Sequence, residues 1–227
     1  VQTICVAYDK MERYFPAEKI KITGNPVRKN LLKKLDVRKE AVEYFGLKEE
    51  DKVILIIGGS LGARSINNAV LQQVDEVAKT DINVIWQTGS IYYEDIQEKL
   101  KGRKPANLQI QKFISRMDLA YAAAGAVISR AGAGTISELC LVGKPVILVP
   151  SPNVAEDHQT KNAMALVEKN AAVMIPDSEI DKRIFTEGIG LIKDDKRCAE
   201  LSENIQKMAK PKATAHIVDE VEKLLKR

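Results

Sequence analysis

The sequence predicts a doubly wound α/β fold, a Rossmann-like parallel sheet with helices on both faces. Three observations predict the sheet and its helices. Short apolar runs alternate with segments of helical periodicity. The runs are continuous, as in Val53-Ile54-Leu55-Ile56-Ile57, so the strands are buried on both faces. Glycine-rich or polar loops follow several runs and open directly into the next helix, which is the βα connection of a parallel sheet.

The elements follow in order. The run Val53–Ile57 closes on Gly58-Gly59, and Ile66, Val70, Leu71, Val74 and Val77 then recur at helical steps. Strand Asn83–Trp86 precedes helix Tyr92–Leu100, and strand Leu108–Phe113 precedes helix Asp118–Ala124. Strand Ala126–Ser129 leads to a helix over Thr135–Leu141. Strand Pro145–Val149 leads to a helix over Asp157–Glu168, and a short strand spans Ala172–Ile175. Three tail helices are expected over Lys182–Ile192, Lys196–Met208 and Ala213–Leu225.

The first 28 residues break the alternation. They hold a strand at Thr3–Val6, a turn or helix at Asp9–Tyr14, a second strand at Lys19–Ile22 and the loop Thr23-Gly24-Asn25-Pro26. The Gly-Asn-Pro cluster sets a domain boundary or hinge near Asn25. A strand that early, with no partner before it, suggests a chain cut from something longer.

The 227 residues suit one large domain, or one domain and part of another. Hydrophobic residues make up 45% and charged residues 29%, enough for a full core. A net charge of +4, dispersed and without a basic-aromatic stripe, argues against nucleic acid. Three widely spaced cysteines read as reduced thiols of a cytosolic protein. The two histidines, far apart, make no metal cluster, and no metal or cofactor is expected. No apolar run approaches the roughly 18–20 residues of a transmembrane helix.

Doubly wound sheets bind ligands at the carboxyl ends of their strands, so three loops carry the chemistry. Gly58-Gly59-Ser60-Leu61-Gly62-Ala63 lets a phosphate approach the backbone at a helix start, or is simply a tight βα turn. It departs from G-x-G-x-x-G at Ser60, and the next strand ends in Gln87-Thr88-Gly89 with no acid for a ribose, which disfavours a nicotinamide cofactor. Gly132-Ala133-Gly134-Thr135-Ile136-Ser137-Glu138 again suits a phosphate. There Thr135 and Glu138 match a capping box, while Glu138 also suits a carboxylate that accepts from two ribose hydroxyls. In the third loop Asp157, His158 and Gln159 stand at a helix start, facing a cleft or merely capping the helix. Asp194-Asp195 reads as a solvated turn. A ligand with a diphosphate and polar groups at both ends, such as a nucleotide-sugar, fits these loops, although the residues alone do not single it out.

Thr23-Gly24-Asn25-Pro26-Val27-Arg28, Gly58 to Arg64, Ser129 to Glu138 and Asp157 to Ala163 together resemble the MurG family of bacterial peptidoglycan N-acetylglucosaminyltransferases, in order from about Cys5 to the C-terminus. The resemblance implies a two-domain GT-B enzyme that transfers GlcNAc from UDP-GlcNAc to lipid I with inversion, without a metal at the donor site. It would work as a peripheral protein on the cytoplasmic face of the membrane. It further implies a remnant of the acceptor domain and the interdomain linker in residues 1–25 and the donor domain in residues 26–227. Ile114 would bind uracil through its backbone, with Arg28 beside the base. Glu138 would hold the ribose. Ser60 and the N–H groups of Ala133, Gly134 and Thr135 would hold the diphosphate, and Asn67, His158 and Gln159 would contact the sugar. Some members carry Gln-Gln where this chain has His158-Gln159. The catalytic base of the family lies in its N-terminal domain, so none is expected here and the chain would bind donor without turnover. Two other readings are a donor-binding subunit of a split glycosyltransferase and a UDP-GlcNAc 2-epimerase-like enzyme.

Overall fold

A computed structural model describes residues 1–8, 11–32 and 37–226 of the chain. Two short strands, β1 (Ile4–Val6) and β2 (Ile20–Ile22), pair in parallel as a small separate sheet. Helix α1 (Arg38–Tyr44) follows. The main sheet then begins with β3 (Val53–Ile57) and continues through α2 (Arg64–Gln72), α3 (Val74–Ala78), β4 (Asn83–Gln87), α4 (Tyr93–Lys99) and β5 (Leu108–Gln111). After it come α5 (Met117–Ala123), β6 (Ala126–Ser129), α6 (Ala133–Val142), β7 (Val146–Leu148), α7 (His158–Val167) and β8 (Val173–Met174). The tail is α8 (Ile180–Lys193), α9 (Asp195–Gln206) and α10 (Ala213–Leu225).

The six strands β3 to β8 are all parallel and lie in the order β5-β4-β3-β6-β7-β8. The chain winds outward from β3 to β5, then returns to the other side of β3. Winding reverses between β3 and β6, so a crevice opens outside their carboxyl ends. Ile57 lies opposite both Gln87 and Ser129, so the loops after β3, β4 and β6 leave the sheet at one height.

The continuous apolar runs bury both faces. Val53, Leu55 and Ile57 of β3 pack into one core with α1, α5, α6 and α7, while Ile54 and Ile56 pack into the other with α2, α3 and α8. This is the period-two alternation of a strand covered on both sides. α9 wraps an edge of the sheet: Leu201 joins one core and Ile205 the other.

The leading segment is tied to the main domain at α6. Tyr8 Oη and Asn25 Nδ2 both donate to the carbonyl of Ala133, at 3.2 and 3.4 Å, and Asn25 Nδ2 also reaches Ser137 Oγ at 3.1 Å.

The structure differs from the sequence reading at several places. The periodic stretch from Ile66 to Val77 is two helices, α2 and α3, broken at Gln73. Helix α1 has no counterpart in the reading: it is one of the shortest helices, with only Ala41 and Val42 buried. Of the Asp9–Tyr14 turn, Met11–Arg13 forms a 3-10 helix and residues 9 and 10 lie outside the described residues. Asp194 is not simply solvated, because its side chain caps α9 by accepting the N–H of Arg197 at 2.9 Å. The remaining strands and helices stand within about two residues of their expected limits.

Candidate functional site

A cleft of about 430 Å³ opens at the carboxyl edge of the sheet. Gly58, Gly62, Ala63, Arg64, Ser65 and Asn68 line it from the loop after β3 and the start of α2. Ser151, Asn153 and Gln159 line it from the segment after β7, and Arg130 and Asp177 complete it from the ends of β6 and β8.

The glycines of the first loop are needed for packing. A Cβ on Gly58 would strike the Ala63 backbone, and Gly62, at φ +82°, lies against the Thr88 carbonyl where no side chain fits. Gln87 fixes the same loop from β4: its Nε2 donates to the Gly59 carbonyl at 2.9 Å, and its Oε1 accepts the N–H of Ile114 at 3.1 Å. The Ile114 N–H is thereby occupied. Ser60 sits exposed in this loop.

Helix α6 begins at Ala133, with Gly132 in the N-cap position and no side-chain cap. The capping box does not form, because the helix starts two residues earlier than expected and Thr135 lies inside its first turn. Ile136 is the first residue to donate into the helix, to Gly132 O at 2.9 Å. The N–H groups of Ala133, Gly134 and Thr135 therefore have no intrahelical acceptor and stand at the positive end of the helix dipole, the arrangement that binds phosphate.

Glu138 is turned away from any capping role and toward Arg28. Arg28 Nε lies 3.3 Å from Glu138 Oε1, with side-chain exposures of 49% and 14%. The Tyr121 hydroxyl donates to Glu138 Oε2 at 3.3 Å. Burial pushes the Glu138 carboxyl above its ordinary range, opposed by Arg28 and by Tyr121.

Asn67 is not free to meet a ligand. It is 1% exposed, its Nδ2 donates to the Thr88 carbonyl at 2.9 Å, and its Oδ1 accepts from the Trp86 indole at 3.1 Å. Asn68, one residue on, is the asparagine that lines the cleft. Asp157 holds the N-cap position of α7 without a side-chain cap and instead accepts from Thr160 Oγ1 at 2.7 Å. Glu156 and Asp157 both have positive φ, 54° and 51°, so the entry to α7 stores strain beside the cleft. His158 Nδ1 donates to the Ala155 carbonyl at 2.9 Å, so that in the neutral ring Nε2 is the acceptor. Gln159 Oε1 accepts the Ser151 N–H at 3.0 Å, which leaves its amide NH₂ to donate.

Arg130 and Asp177 carry a network that the sequence reading passed over. Arg130 Nη1 lies 2.5 Å from Asp177 Oδ1, at exposures of 15% and 20%. Ser65 bridges the pair, accepting from Arg130 Nη2 and donating to Asp177 Oδ1, each at 2.6 Å. Arg130 also reaches the carbonyls of Val149 and Pro150, at 3.1 and 3.2 Å. The available signal is position: Arg130 directly follows β6 and Asp177 stands three residues past β8, both at the sheet's ligand edge. Among the described residues, no helix is long and apolar enough to cross a membrane.

The profile of the glycosyltransferase family 28 C-terminal domain matches residues 53–218. The UDP-N-acetylglucosamine--N-acetylmuramyl-(pentapeptide) pyrophosphoryl-undecaprenol N-acetylglucosamine transferase of Parabacteroides distasonis is 53% identical over 222 residues. The Bacteroides fragilis protein of the same name is 54% identical over 224 residues. The matches take in 98% and 97% of this chain but only 60% and 59% of those relatives. Among solved structures, MurG of Acinetobacter baumannii superposes with a TM-score of 0.72 at 30% identity, over 98% of this chain and 60% of that one. HepE of Anabaena, solved with UDP and glucose, shares the fold at 15% identity and a TM-score of 0.65, over 98% of this chain and 63% of its own. The chain belongs to glycosyltransferase family 28 through that family's C-terminal, donor-binding domain, and is a homologue of MurG.

Proposed function

We propose that this chain is the donor half of an inverting N-acetylglucosaminyltransferase, which takes GlcNAc from UDP-GlcNAc and delivers it to the muramoyl 4-hydroxyl of lipid I to make lipid II in peptidoglycan synthesis. The observation that carries the reading is the juxtaposition of Glu138 and Arg28 with the free N–H groups of α6. A carboxylate for ribose hydroxyls and a helix end for a diphosphate stand together, as a nucleoside diphosphate requires. The names of the relatives at 53% and 54% identity supply the sugar and the acceptor.

In this reading uracil lies beside Arg28 and the Ile114 carbonyl, and the diphosphate lies on Ala133, Gly134 and Thr135, with Ser60 nearby. The GlcNAc extends toward the cleft. There the Gln159 amide donates, and beside the cleft His158 Nε2 accepts in the neutral ring, two complementary partners for sugar hydroxyls. Asn68 takes the place expected of Asn67. Charge grows on the diphosphate as the glycosidic bond breaks, and preorganised N–H groups at a helix end stabilise it without reorganising. Residues 1–25 belong, in the same reading, to the acceptor domain and linker. Activation of the acceptor hydroxyl lies with that domain, so residues 1–227 alone bind donor without turnover. The whole enzyme works at the cytoplasmic face of the membrane.

Titration calorimetry tests this. UDP-GlcNAc is expected to bind, more tightly than UDP-glucose, and NAD is expected not to. Glu138→Ala removes a charge-assisted acceptor and should weaken binding by roughly tenfold to a hundredfold, about 1.5–3 kcal/mol. Binding of NAD in preference to UDP-GlcNAc would overturn the reading, and transfer to a lipid I analogue by this chain alone would overturn the lack of turnover.

A further inference from the structure

Glu138 has two protein partners, one for each oxygen: Arg28 on Oε1 and the Tyr121 hydroxyl on Oε2, each at 3.3 Å. A carboxylate offers about four lone-pair sites, so roughly two remain for a ligand. Two vicinal hydroxyls of a ribose match that number. The two partners differ in rigidity. Arg28 is about half exposed, and an ion pair to so exposed a group holds a carboxylate loosely. Tyr121 is wholly buried in α5 beneath α6, and its ring cannot move without disturbing the core.

We propose that Tyr121 is a positioning residue that fixes the Glu138 carboxylate for the 2′ and 3′ hydroxyls of the donor ribose, and so sets the preference for a ribonucleotide over its 2′-deoxy counterpart. The inference rests on the ribose reading of Glu138 given above. Burial holds the Tyr121 phenol well above its ordinary range, so the hydroxyl remains a donor at every working pH. Burial also disfavours charge on Glu138, and Arg28 and then the Tyr121 hydrogen bond work against that. Without the hydroxyl, Glu138 would keep only the Arg28 contact and would be free to swing with it. Binding of a ribose would then have to fix the carboxylate afresh, and the advantage of a second ribose hydroxyl would fall.

The experiment compares affinities for UDP and 2′-deoxy-UDP by titration calorimetry, in the wild-type chain, Tyr121→Phe and Glu138→Ala. Phenylalanine keeps the ring and its packing and removes only the hydroxyl, and a thermal melt verifies the fold. The wild type should prefer UDP. Tyr121→Phe should weaken UDP about threefold to tenfold and leave 2′-deoxy-UDP within about twofold, so the preference shrinks. Equal loss for both nucleotides, or no loss for either, makes Tyr121 a packing residue and overturns the proposal. Glu138→Ala separates the two layers of the argument. If it abolishes the preference while Tyr121→Phe preserves it, the ribose reading stands and the positioning role falls. If Glu138→Ala itself keeps the wild-type preference, both fall together.

Discussion

Lys144 begins the approach to β7 with its ammonium largely buried beside Arg38, and burial, then Arg38, depress its pKa from 10.5 to about 8. Below pH 8 the group is charged in both folded and unfolded chains, and only the folded chain bears the cost of desolvation. Between about pH 8 and the ordinary lysine value, the unfolded chain holds a proton that the folded chain has released, so stability rises with pH across that window. Tyr8 has the opposite sign at higher pH. Burial raises it to about 12, so above pH 10 the unfolded chain loses a proton that the folded chain keeps, and stability falls. Lys144→Met should therefore be more stable than wild type at pH 7, by about 2 kcal/mol, and the gain should vanish as pH approaches 10. Urea denaturation at pH 7, 8.5 and 10 measures this, and a pH-independent difference would show that the lysine charge is not the cause. Nothing in the residues around Gly143-Lys144-Pro145 distinguishes this lysine from a surface one. Its burial comes from α1 delivering Arg38 to the same end of the sheet, where the Arg38 guanidinium donates to the carbonyls of Glu49, Asp51 and Ala123.

At the level of elements, the strands are the most legible part of the chain and the helices less so, since the sequence pattern announces neither α1 nor the break between α2 and α3 at Gln73. A run such as Val53–Ile57 reads as a strand covered on both faces because it is only five residues long, mostly β-branched, and closed by Gly58-Gly59. The sequence starts the helix after β6 two residues late, because Thr135 and Glu138 satisfy a local capping rule that the tertiary structure does not use. β6 ends at Ser129 and α6 begins at Ala133, which carries Glu138 past the first turn and round to Tyr121 and Arg28. That partner stands 110 residues earlier in sequence, and no local pattern could announce it. The same holds for Arg130 and Asp177, which meet only because β6, β7 and β8 are neighbours in the sheet. Their ion pair, with Ser65, ties the starts of α2 and the final helices to the cleft. Asp177→Ala strands a guanidinium that is mostly buried and should cost about 2–3 kcal/mol. Arg130→Met combined with Asp177→Ala should cost less than the sum of the two single changes, because no lone charge remains. Chemical denaturation of the four proteins measures the coupling, and strict additivity would mean that the pair contributes nothing beyond its separate contacts.

Across the whole molecule, the site is spread over segments far apart in sequence but held by one sheet. The loops after β3, β6 and β7 and the leading segment at Arg28 all meet near the reversal of winding. A donor that bridges them would bind only when the sheet is intact, and its binding free energy would add to the stability of the fold. At a concentration of UDP one hundred times its dissociation constant, that addition is about 2.7 kcal/mol. For a chain of this size, each kcal/mol moves the melting temperature by about 2–4 °C, so UDP should raise it by roughly 5–10 °C. The expected rise depends on the charged end of the ligand reaching α6 and on the ribose reaching Glu138. Uridine at the same concentration should therefore give a smaller shift than UDP. In Glu138→Ala, a tenfold to hundredfold weaker affinity at that same fixed UDP concentration should remove about 1.3–2.3 kcal/mol of this stabilisation. Scanning calorimetry of wild type and Glu138→Ala, each with uridine, UDP and NAD, resolves these terms. Equal shifts for uridine and UDP would place the diphosphate away from the free N–H groups of α6, and an undiminished shift in Glu138→Ala would remove the ribose from its carboxylate.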